Sequence, residues 1–299
     1  MIKLFKRVMS KLLRSKFFFF VPDKIYISIL FYLETGKKAD FKNPVTFNQK
    51  LQWLKINNRN PYYTDMSDKI KAKEIVKNLI GDEYIIKNIG IFDSVNEINI
   101  SKLPYKFVIK TNHSSGSSLV VDKNKDNFEN ILKHIKKDLK RNYFYVWREW
   151  PYKDIKPKIL IEEYITDESS YELKDYKFFC FNGEPLYLYI ASDRFSNSSK
   201  IHFDFFDIDF NRLNIKNKYE NSKKDFIKPE NYDKMVDICR VLSKNIPHVR
   251  IDLYNKNGQI YFGEFTFYHF SGMVNFEPDE WDYLLGDKID ISDMSVRKQ

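Results

Sequence analysis

Cysteine is scarce in this sequence. Only Cys180 and Cys239 occur, each within an apolar stretch, without CxxC spacing and without a nearby cluster of histidines. This excludes a disulfide framework and argues against a zinc site. Both side chains are predicted to be buried free thiols of a protein in a reducing compartment.

Long apolar runs are also missing. No window reaches the roughly 18–20 uninterrupted apolar residues of a membrane-spanning helix. The run from Phe17 to Val21 is too short for the core of a secretory signal, and no small-residue cleavage site follows it. We therefore expect the N-terminal segment to stay on the protein and the protein to stay in the cytoplasm.

The charge is mixed with a basic excess, since 50 lysines and arginines against 41 aspartates and glutamates give a net charge of +9. A basic excess suggests nucleic acid or an anionic membrane as a partner. The lysines, however, are spread along the chain, and no RNP, zinc-finger or basic-zipper signature is present. No nucleic-acid partner is expected, and a basic enzyme that handles anionic ligands fits the same charge.

The N-terminal segment, residues 2–20, combines an apolar helical face with basic residues over much of the rest. The apolar face is formed by Ile2, Phe5, Met9, Leu12 and Leu13. Such a helix can lie on an anionic membrane, in which case residues 2–20 make a peripheral membrane contact. The alternative is a terminal helix that docks on the body of the protein through its apolar stripe. Both interpretations stay open at this point.

Apolar periodicity predicts helices in the first part of the chain, and short strands with interposed helices after it. Residues 24–80 are predicted to be helical, with breaks near residues 42–44 and 57–61. Further helices are predicted at residues 127–140 and 229–245. Strands are predicted at residues 84–86, 107–110, 119–121, 159–162, 176–181, 186–191, 249–253 and 260–266. Helices followed by hairpins indicate an α+β fold and not a doubly wound Rossmann sheet.

The strongest functional signal is a hairpin that turns at Asn257-Gly258. Alternation along its first strand places Arg250 and Asp252 on one face, and Glu264 pairs opposite them on the second strand. Carboxylates and a guanidinium inside an otherwise apolar hairpin are costly to bury without a partner. Because Mg²⁺ takes one or two carboxylates together with phosphate oxygens, a magnesium–phosphate site is predicted here. The alternative is a surface hairpin with a salt bridge.

A second signal is the loop after the strand that ends at Lys110, with the sequence TNHSSGSS from Thr111 to Ser118. Backbone N–H groups and hydroxyls in such a loop can approach phosphates, with Lys110 as a cation beside them. The loop lacks the Walker A spacing, and an ordinary serine-rich hairpin loop is the alternative. His113 by itself is not assigned a catalytic role.

A third signal is the strand that runs from Ile159 into the acidic segment Glu162-Glu163-Tyr164-Ile165. Backbone groups of an acidic hinge can face the edge of an adenine, and a carboxylate beyond the hinge can accept the hydroxyls of a ribose. By itself, the segment is equally typical of a strand with an acidic end.

Five blocks of the sequence carry a resemblance to a known family. They are TFNQKLQWL from Thr46, KTNH from Lys110, REWPY from Arg148, DYKFFCFNG from Asp175 and GEFTFY from Gly263. Their combination resembles the TupA-like ATP-grasp family, to which the teichuronopeptide-biosynthesis protein belongs. The resemblance covers roughly residues 40–285.

The resemblance implies an α+β, ATP-grasp fold in which two α+β lobes clamp ATP, preceded by a mostly helical N-terminal region. On this basis residues 1–80 are expected to form the helical region and residues 81–165 the lid subdomain. Residues 166–299 are expected to form the C-terminal subdomain with the metal site. The α/β domain that usually precedes these parts is expected to be reduced or absent.

The resemblance also implies an ADP-forming carbon–nitrogen ligase with ATP and Mg²⁺ as cofactors. Such enzymes phosphorylate a carboxylate to an acyl phosphate, which an amine then attacks. The expected acid is a uronic acid of a cell-surface polysaccharide, of the capsule, O-antigen or teichuronic type. The expected amine is an amino acid or an amino alcohol, and other polysaccharide-assembly enzymes are candidate partners.

Carried over to this sequence, the motifs of the family assign roles to individual residues. Arg250 and Lys110 are the expected catalytic residues. The expected nucleotide-binding residues are Lys69, Lys110, His113, Ser114, Ser115, Gly116, Ser117, Glu162, Glu163, Tyr164, Ile165, Asp175 and Lys177. The expected metal ligands are Asp252, Glu264 and Thr266, although many members have asparagine at the position of Thr266.

A glycosyltransferase of polysaccharide biosynthesis is the alternative function. Its support is Asp207-Ile208-Asp209, a DxD sequence of the kind that binds a metal and a nucleotide-sugar diphosphate. The motif lies in a stretch, from Phe203 to Phe210, where aspartates alternate with aromatic residues. That alternation more simply predicts a strand with a solvated acidic face.

Overall fold

The computed structural model describes residues 2–166, 173–193 and 201–292. The chain divides into two compact units. The larger unit combines residues 1–59 with residues 167–299, and the smaller unit consists of residues 60–166. Each unit is considered by itself below.

The helices of residues 2–80, 128–139 and 232–243 lie where the sequence predicts helices, whereas those of residues 144–147 and 280–287 were not predicted. The helices are α1 (Ile2–Leu13), α2 (Asp23–Thr35), α3 (Phe47–Asn57), α4 (Tyr62–Ser67), α5 (Lys69–Ile80), α6 (Phe128–Leu139), α7 (Phe144–Trp147), α8 (Tyr232–Ser243) and α9 (Glu280–Asp287). Within the described residues, no helix is long and apolar enough to cross a membrane.

The strands alternate with these helices from residue 88 onward. They are β1 (Asn88–Phe92), β2 (Lys106–Thr111), β3 (Leu119–Asp122), β4 (Ile159–Glu163), β5 (Asp175–Phe181), β6 (Glu184–Ser192), β7 (His202–Asp207), β8 (Arg212–Leu213), β9 (Lys216–Asn217), β10 (His248–Lys256), β11 (Gln259–Thr266) and β12 (Phe276–Glu277). The predicted strand at residues 84–86 is wrong, because a 3-10 turn occupies Asp82–Tyr84 and β1 begins at Asn88.

Local sequence explains where the early helices begin. Thr46 caps α3 with a complete capping box, in which its side chain accepts a hydrogen bond from the backbone N–H of Gln49 and the Gln49 side chain accepts one from Thr46. Asp68 caps α5 by accepting a hydrogen bond from the backbone N–H of Ile70 at 2.9 Å. Each cap satisfies backbone donors that the first helical turn leaves without a partner.

The smaller unit is built on an antiparallel sheet, with the strand order β1-β4-β2-β3 in residues 60–166. On one face, Phe107, Ile109 and Ile161 are fully buried with Ile135 of α6 in an apolar core. Since successive residues of a strand point to opposite faces, Lys110 lies on the other face of the same sheet. The sheet thus separates an apolar core from a face that carries buried charged residues.

The larger unit is built on an antiparallel sheet with the order β11-β10-β5-β6-β7-β8, as found in residues 173–193 and 201–292. The predicted turns at Asn182-Gly183 and Asn257-Gly258 are confirmed. Both residues of each turn have positive φ (50° and 91°, then 51° and 86°), which is typical of type I′ hairpins. Cys180 of β5 and Cys239 of α8 are buried free thiols, as predicted.

Candidate active site

The charged residues of the β10–β11 hairpin lie on one face, as predicted. Asp252 pairs directly opposite Glu264, and Arg250 opposite Thr266. Arg250 donates two parallel hydrogen bonds to Asp252, from Nε to Oδ1 at 2.7 Å and from Nη2 to Oδ2 at 2.8 Å. Both side chains are buried. Such a bidentate contact fixes the guanidinium plane.

Lys177 of β5 adds a second cation on the other side of Asp252. The two residues pair across β5 and β10, and the Lys177 ammonium contacts the Asp252 carboxylate. The same ammonium lies 2.7 Å from Oδ2 of Asp175. Burial alone would raise the pKa of Asp252, but Arg250 and Lys177 outweigh it and hold that pKa below its usual value. Asp252 is therefore an anion in the folded protein.

Glu264 and Thr266 complete this face of the hairpin. Glu264 is more open than its neighbours, with 31% of its side chain exposed, and its Oε1 lies 3.8 Å from Nη2 of Arg250. The hydroxyl of Thr266 accepts a hydrogen bond from Arg250 at 3.0 Å. The side-chain oxygens of Asp252, Glu264 and Thr266 thus lie around the guanidinium of Arg250. The oxygens can bind a cation, and the guanidinium can bind an anion.

These oxygens fit Mg²⁺. Within residues 2–166, 173–193 and 201–292, no group of three or more histidine, cysteine, aspartate and glutamate side chains is placed to hold a metal. The hairpin instead offers two carboxylates, on Asp252 and Glu264, at directly paired positions. Mg²⁺ is usually held by one or two carboxylates plus substrate phosphates and water, and not by an all-protein cage.

His269, which lies outside the predicted site, contacts Arg250, and Asn217 in turn contacts His269. Nη1 of Arg250 donates to Nδ1 of His269 at 2.8 Å, and Nε2 of His269 lies 2.9 Å from Oδ1 of Asn217. Because an arginine only donates, Nδ1 must accept, and Nε2 carries the proton that it donates to Asn217. Burial, helped by the charge of Arg250, lowers the pKa of His269 well below its usual value. His269 is therefore a neutral acceptor.

The smaller unit contains a buried cluster of two lysines around one glutamate. Nζ of Lys110 lies 2.5 Å from Oε2 of Glu162, and the ammonium of Lys73 contacts the other carboxylate oxygen. Nζ of Lys73 also donates to the carbonyl of Ile86 at 2.6 Å and to Oδ1 of Asn88 at 2.5 Å. Burial, with the nearby charge of Lys110, lowers the pKa of Lys73 to about 8.

Lys73 was missed by the sequence analysis. Its only signal is its position four residues after Lys69, which places both lysines on the same face of α5. Burial would raise the pKa of Glu162, but the charges of Lys110 and Lys73 lower it overall, so the carboxylate is ionised. Glu162 thus anchors two cations beside the end of β2.

The serine-rich loop after β2 is held by hydrogen bonds at its base and is exposed at its tip. Nζ of Lys69 donates to the carbonyl of Ser114 at 2.7 Å, and the hydroxyls of Thr111 and Ser114 lie 2.6 Å apart. Ser115 and Gly116 at the tip are exposed, whereas Ser117 is buried. Gly116 has φ +75°, a conformation that favours glycine. An exposed small-residue tip on an anchored base suits a phosphate-covering loop.

The remaining predicted nucleotide-binding residues of this unit are His113, Glu163, Tyr164 and Ile165. Nε2 of His113 lies 3.1 Å from the carbonyl of Arg141, and burial lowers the pKa of His113. Glu163 is half-exposed, with its carboxylate 3.9 Å from Nζ of Lys87. Tyr164 and Ile165 follow directly and are partly exposed. The acidic segment is therefore accessible beyond the buried Glu162.

The model of the family described as TupA-like ATPgrasp matches residues 49–290. The chain belongs to the TupA-like ATP-grasp family. This confirms the resemblance found in the sequence. The chain is thus an ATP-grasp protein.

Solved ATP-grasp structures are similar in fold to this TupA-like chain. A D-alanine–D-alanine ligase from Bacillus anthracis is 16% identical, with 84% of this chain and 71% of that chain covered and a TM-score of 0.46. The same ligase from Helicobacter pylori is 12% identical, with 82% and 67% covered and a TM-score of 0.43. The ATP-grasp ligase PsnB, complexed with minimal precursor, Mg and ADP, is 9% identical, with 73% and 57% covered and a TM-score of 0.38. No curated protein matches.

The DxD sequence has a structural role in this TupA-like chain. Oδ1 of Asp207 accepts the backbone N–H of Asn211 at 2.7 Å, and Oδ2 accepts its side-chain amide at 2.9 Å. Asp207 thus stabilises the turn between β7 and β8. The face of β7 is not fully solvated as predicted, because Asp204 is completely buried and paired with Arg212.

Acidic conditions are expected to destabilise the larger unit through its buried histidines. Burial lowers the pKa of His248 from 6.5 to about 3, so the folded state stays neutral where the unfolded state binds a proton. Stability is therefore complete above pH 6.5 and is lost as the pH falls below it. His248 alone should cost about 2 kcal/mol near pH 5. Urea denaturation as a function of pH measures this loss. A His248→Phe variant should show a shallower dependence, and an identical dependence would contradict the assignment.

Proposed function

We propose that the chain joins a carboxylic acid to an amine through an acyl phosphate. A carboxylate oxygen attacks the γ-phosphorus of ATP, and ADP leaves. The amine nitrogen then attacks the acyl carbon, phosphate leaves with the oxygen it received, and the amine loses a proton to water. The single observation that carries this proposal is the buried cluster of Arg250 and Asp252 paired opposite Glu264 on one hairpin.

The larger unit supplies the metal-binding and phosphate-binding groups in this proposal. Asp252, Glu264 and Thr266 hold Mg²⁺, which when bound neutralises the charge of the phosphates. Arg250 faces the transferred phosphoryl group and then the acyl phosphate. Its orientation is held by Asp252 and His269, so its charge is in place before the reaction begins.

The smaller unit supplies the nucleotide-binding groups in this proposal. Lys69 and Lys110 contact the phosphates, and the loop from His113 to Ser117 covers them. The segment from Glu162 to Ile165 contacts the adenine. The proposal also divides the chain by function. Residues 1–80 form a helical region, residues 81–165 the lid subdomain and residues 166–299 the metal-binding subdomain.

No nucleophilic side chain is needed for this chemistry. Phosphoryl transfer requires chiefly that reactants be positioned and charge be neutralised. The buried cations and carboxylates of the larger unit, Arg250, Lys177 and Asp252, are suited to that task. Both cysteines are buried free thiols within strands or helices, and His269 is occupied by Arg250 and Asn217. Covalent catalysis therefore has no role in the proposal.

We further propose that the acid is a uronic acid of a cell-surface polysaccharide, of the capsule, O-antigen or teichuronic type. The amine is an amino acid or an amino alcohol. The net charge of +9 suits a polyanionic acid substrate. The reaction takes place in the cytoplasm, which supplies ATP, and the enzyme acts alongside others that assemble the polysaccharide.

ADP release tests this function. The purified chain is incubated with Mg-ATP and a matrix of uronic acids and amines, and turnover is expected only where both an accepted acid and an accepted amine are present. Glu264→Gln should remove most of that turnover. Glu230→Gln, which changes an exposed glutamate in the same unit, should leave it unchanged. Turnover with the acid alone would indicate a kinase. Thermal stabilisation by nucleotide sugars but not by ATP analogues would favour the glycosyltransferase.

A further inference from the structure

The N-terminal helix α1 is attached to the larger unit by its polar side. The hydroxyl of Ser10 bonds the carboxylate of Glu34 on α2, and Nη2 of Arg14 lies 3.6 Å from the same carboxylate. Nζ of Lys6 lies 4.4 Å from the centre of the Tyr32 ring. Of the apolar residues of α1 from Leu4 onward, only Leu13 is buried here. The expectation that α1 docks through its apolar stripe is therefore wrong for most of that stripe.

The apolar residues of α1 instead face outward. Leu4 is 68% exposed and Phe5 is 63% exposed. The exposed apolar residues of the helix are Leu4, Phe5, Val8, Met9 and Leu12. With about 100° of rotation per residue, they span an arc of roughly 140° on the side of the helix away from Ser10. A continuous apolar face of this kind is costly to leave in water.

The segment after α1 extends this exposed apolar surface. Phe17 and Phe20 are 81% and 83% exposed. On α2, Ile25, Ile29 and Tyr32 are also exposed and share one helical face by their spacing of four and three residues. The contact of Lys6 with Tyr32 places that face beside α1. We call the exposed apolar residues of 4–32 the N-terminal apolar surface.

The charged residues of the part of this surface before α2 are all basic. Residues 1–22 contain no aspartate or glutamate. Arg7, Lys11 and Lys16 are exposed along α1 and the turn that follows it. A helix with an outward apolar face and basic flanks is typical of segments that lie in the headgroup region of an anionic bilayer. With 12 residues, α1 is about 18 Å long, too short to span the hydrocarbon core.

We propose that the N-terminal apolar surface docks on a bilayer that contains anionic phospholipids. Charge complementarity favours this occupant over a second copy of the chain. A symmetric dimer would bring the same basic residues of both copies together, with no acidic residue in residues 1–22 to offset them. No residue of the N-terminal apolar surface belongs to the proposed catalytic, nucleotide-binding or metal-binding set, so the docking is independent of the proposed ligase activity. If both proposals hold, the ligase acts at a membrane surface.

Vesicle co-sedimentation of the full chain tests the proposal. The chain is expected to bind vesicles of phosphatidylcholine with phosphatidylglycerol, to bind phosphatidylcholine alone at least about tenfold more weakly, and to lose binding as salt rises. Phe5→Ser with Phe17→Ser should weaken binding to the anionic vesicles by about tenfold or more. Both side chains are exposed, so the melting temperature should not change. Ile227→Ser, at an exposed apolar residue elsewhere, is the matched control and should bind normally.

Three results would overturn the proposal. The first is no binding to anionic vesicles at low salt. The second is undiminished binding of the double serine variant, which would make the attraction purely electrostatic. The third is an unchanged chain that forms a dimer in solution and does not bind vesicles, together with a double serine variant that is a monomer. That result would identify a second copy of the chain as the occupant. ADP release by the double variant should equal that of the unchanged chain, so failure here is distinguishable from failure of the ligase proposal.

Discussion

Replacing Asp252 with asparagine is expected to lower the rate of ADP formation by about 100- to 1000-fold. The carboxylate is the shared partner of Arg250 and Lys177, and it is a metal ligand in the proposed site. The same change leaves two buried cations short of a counter-charge. The free energy of unfolding of the larger unit should therefore fall by about 3–5 kcal/mol. ADP release and urea denaturation measure the two effects.

Two matched variants separate catalysis from stability. Asp204 is a buried aspartate of the same sheet, paired with Arg212, so Asp204→Asn should destabilise the unit comparably while ADP formation persists under folded conditions. Glu264→Gln changes a side chain that is 31% exposed and should lower turnover with little loss of stability. Full activity of Asp252→Asn, or an equal loss in Asp204→Asn, would contradict the assigned role of Asp252.

Replacing Glu162 with glutamine is expected to affect the smaller unit as strongly. Lys73 and Lys110 would share a buried space without their counter-ion. We expect a loss of about 3–5 kcal/mol in the stability of that unit, and a KM for ATP raised at least about tenfold because Lys110 is no longer held in place. Hydrogen exchange along β2 and β4 reports the first effect, and steady-state kinetics report the second.

The lysine pair provides the control for Glu162. Combining Glu162→Gln with Lys73→Met removes one cation together with the anion, so the double variant should be more stable than Glu162→Gln alone. ATP affinity should nevertheless stay weak, because Lys110 still lacks its anchor. If the double variant were no more stable than the single one, the ion cluster would not be the source of the effect.

The parts of the site that could be predicted are those that local sequence specifies. The Asn257-Gly258 turn sets the register of the hairpin as far as Leu253, and alternation places Arg250 and Asp252 on one face of β10. A register shift between Asp252 and Leu253 then brings Glu264 opposite Asp252. Lys110 was predicted from its place at the end of a strand before a small-residue loop. In both cases local sequence indicates which face a side chain occupies, whereas the pairing of Glu264 with Asp252 also depends on the register shift, which the sequence does not report.

The parts that could not be predicted depend on contacts between distant segments. His269 holds Arg250 from 19 residues away and is itself held by Asn217, and no spacing in the sequence reports such a chain. Lys73 of α5 contacts Glu162 of β4 from 89 residues away in the sequence. The orientation of α1 is a similar case. The hydrogen bond between Ser10 and Glu34 lies on the polar side of this amphipathic helix, and that side faces the protein.

The fate of a labelled carboxylate oxygen is the most direct measurement of the central claim. Once an accepted acid is known, it is prepared with ¹⁸O in its carboxylate and turned over with ATP and the amine. An acyl phosphate requires that one labelled oxygen leave with the inorganic phosphate for each amide formed, which mass spectrometry of the phosphate detects. Amide formation with phosphate that carries no label would contradict the proposed reaction.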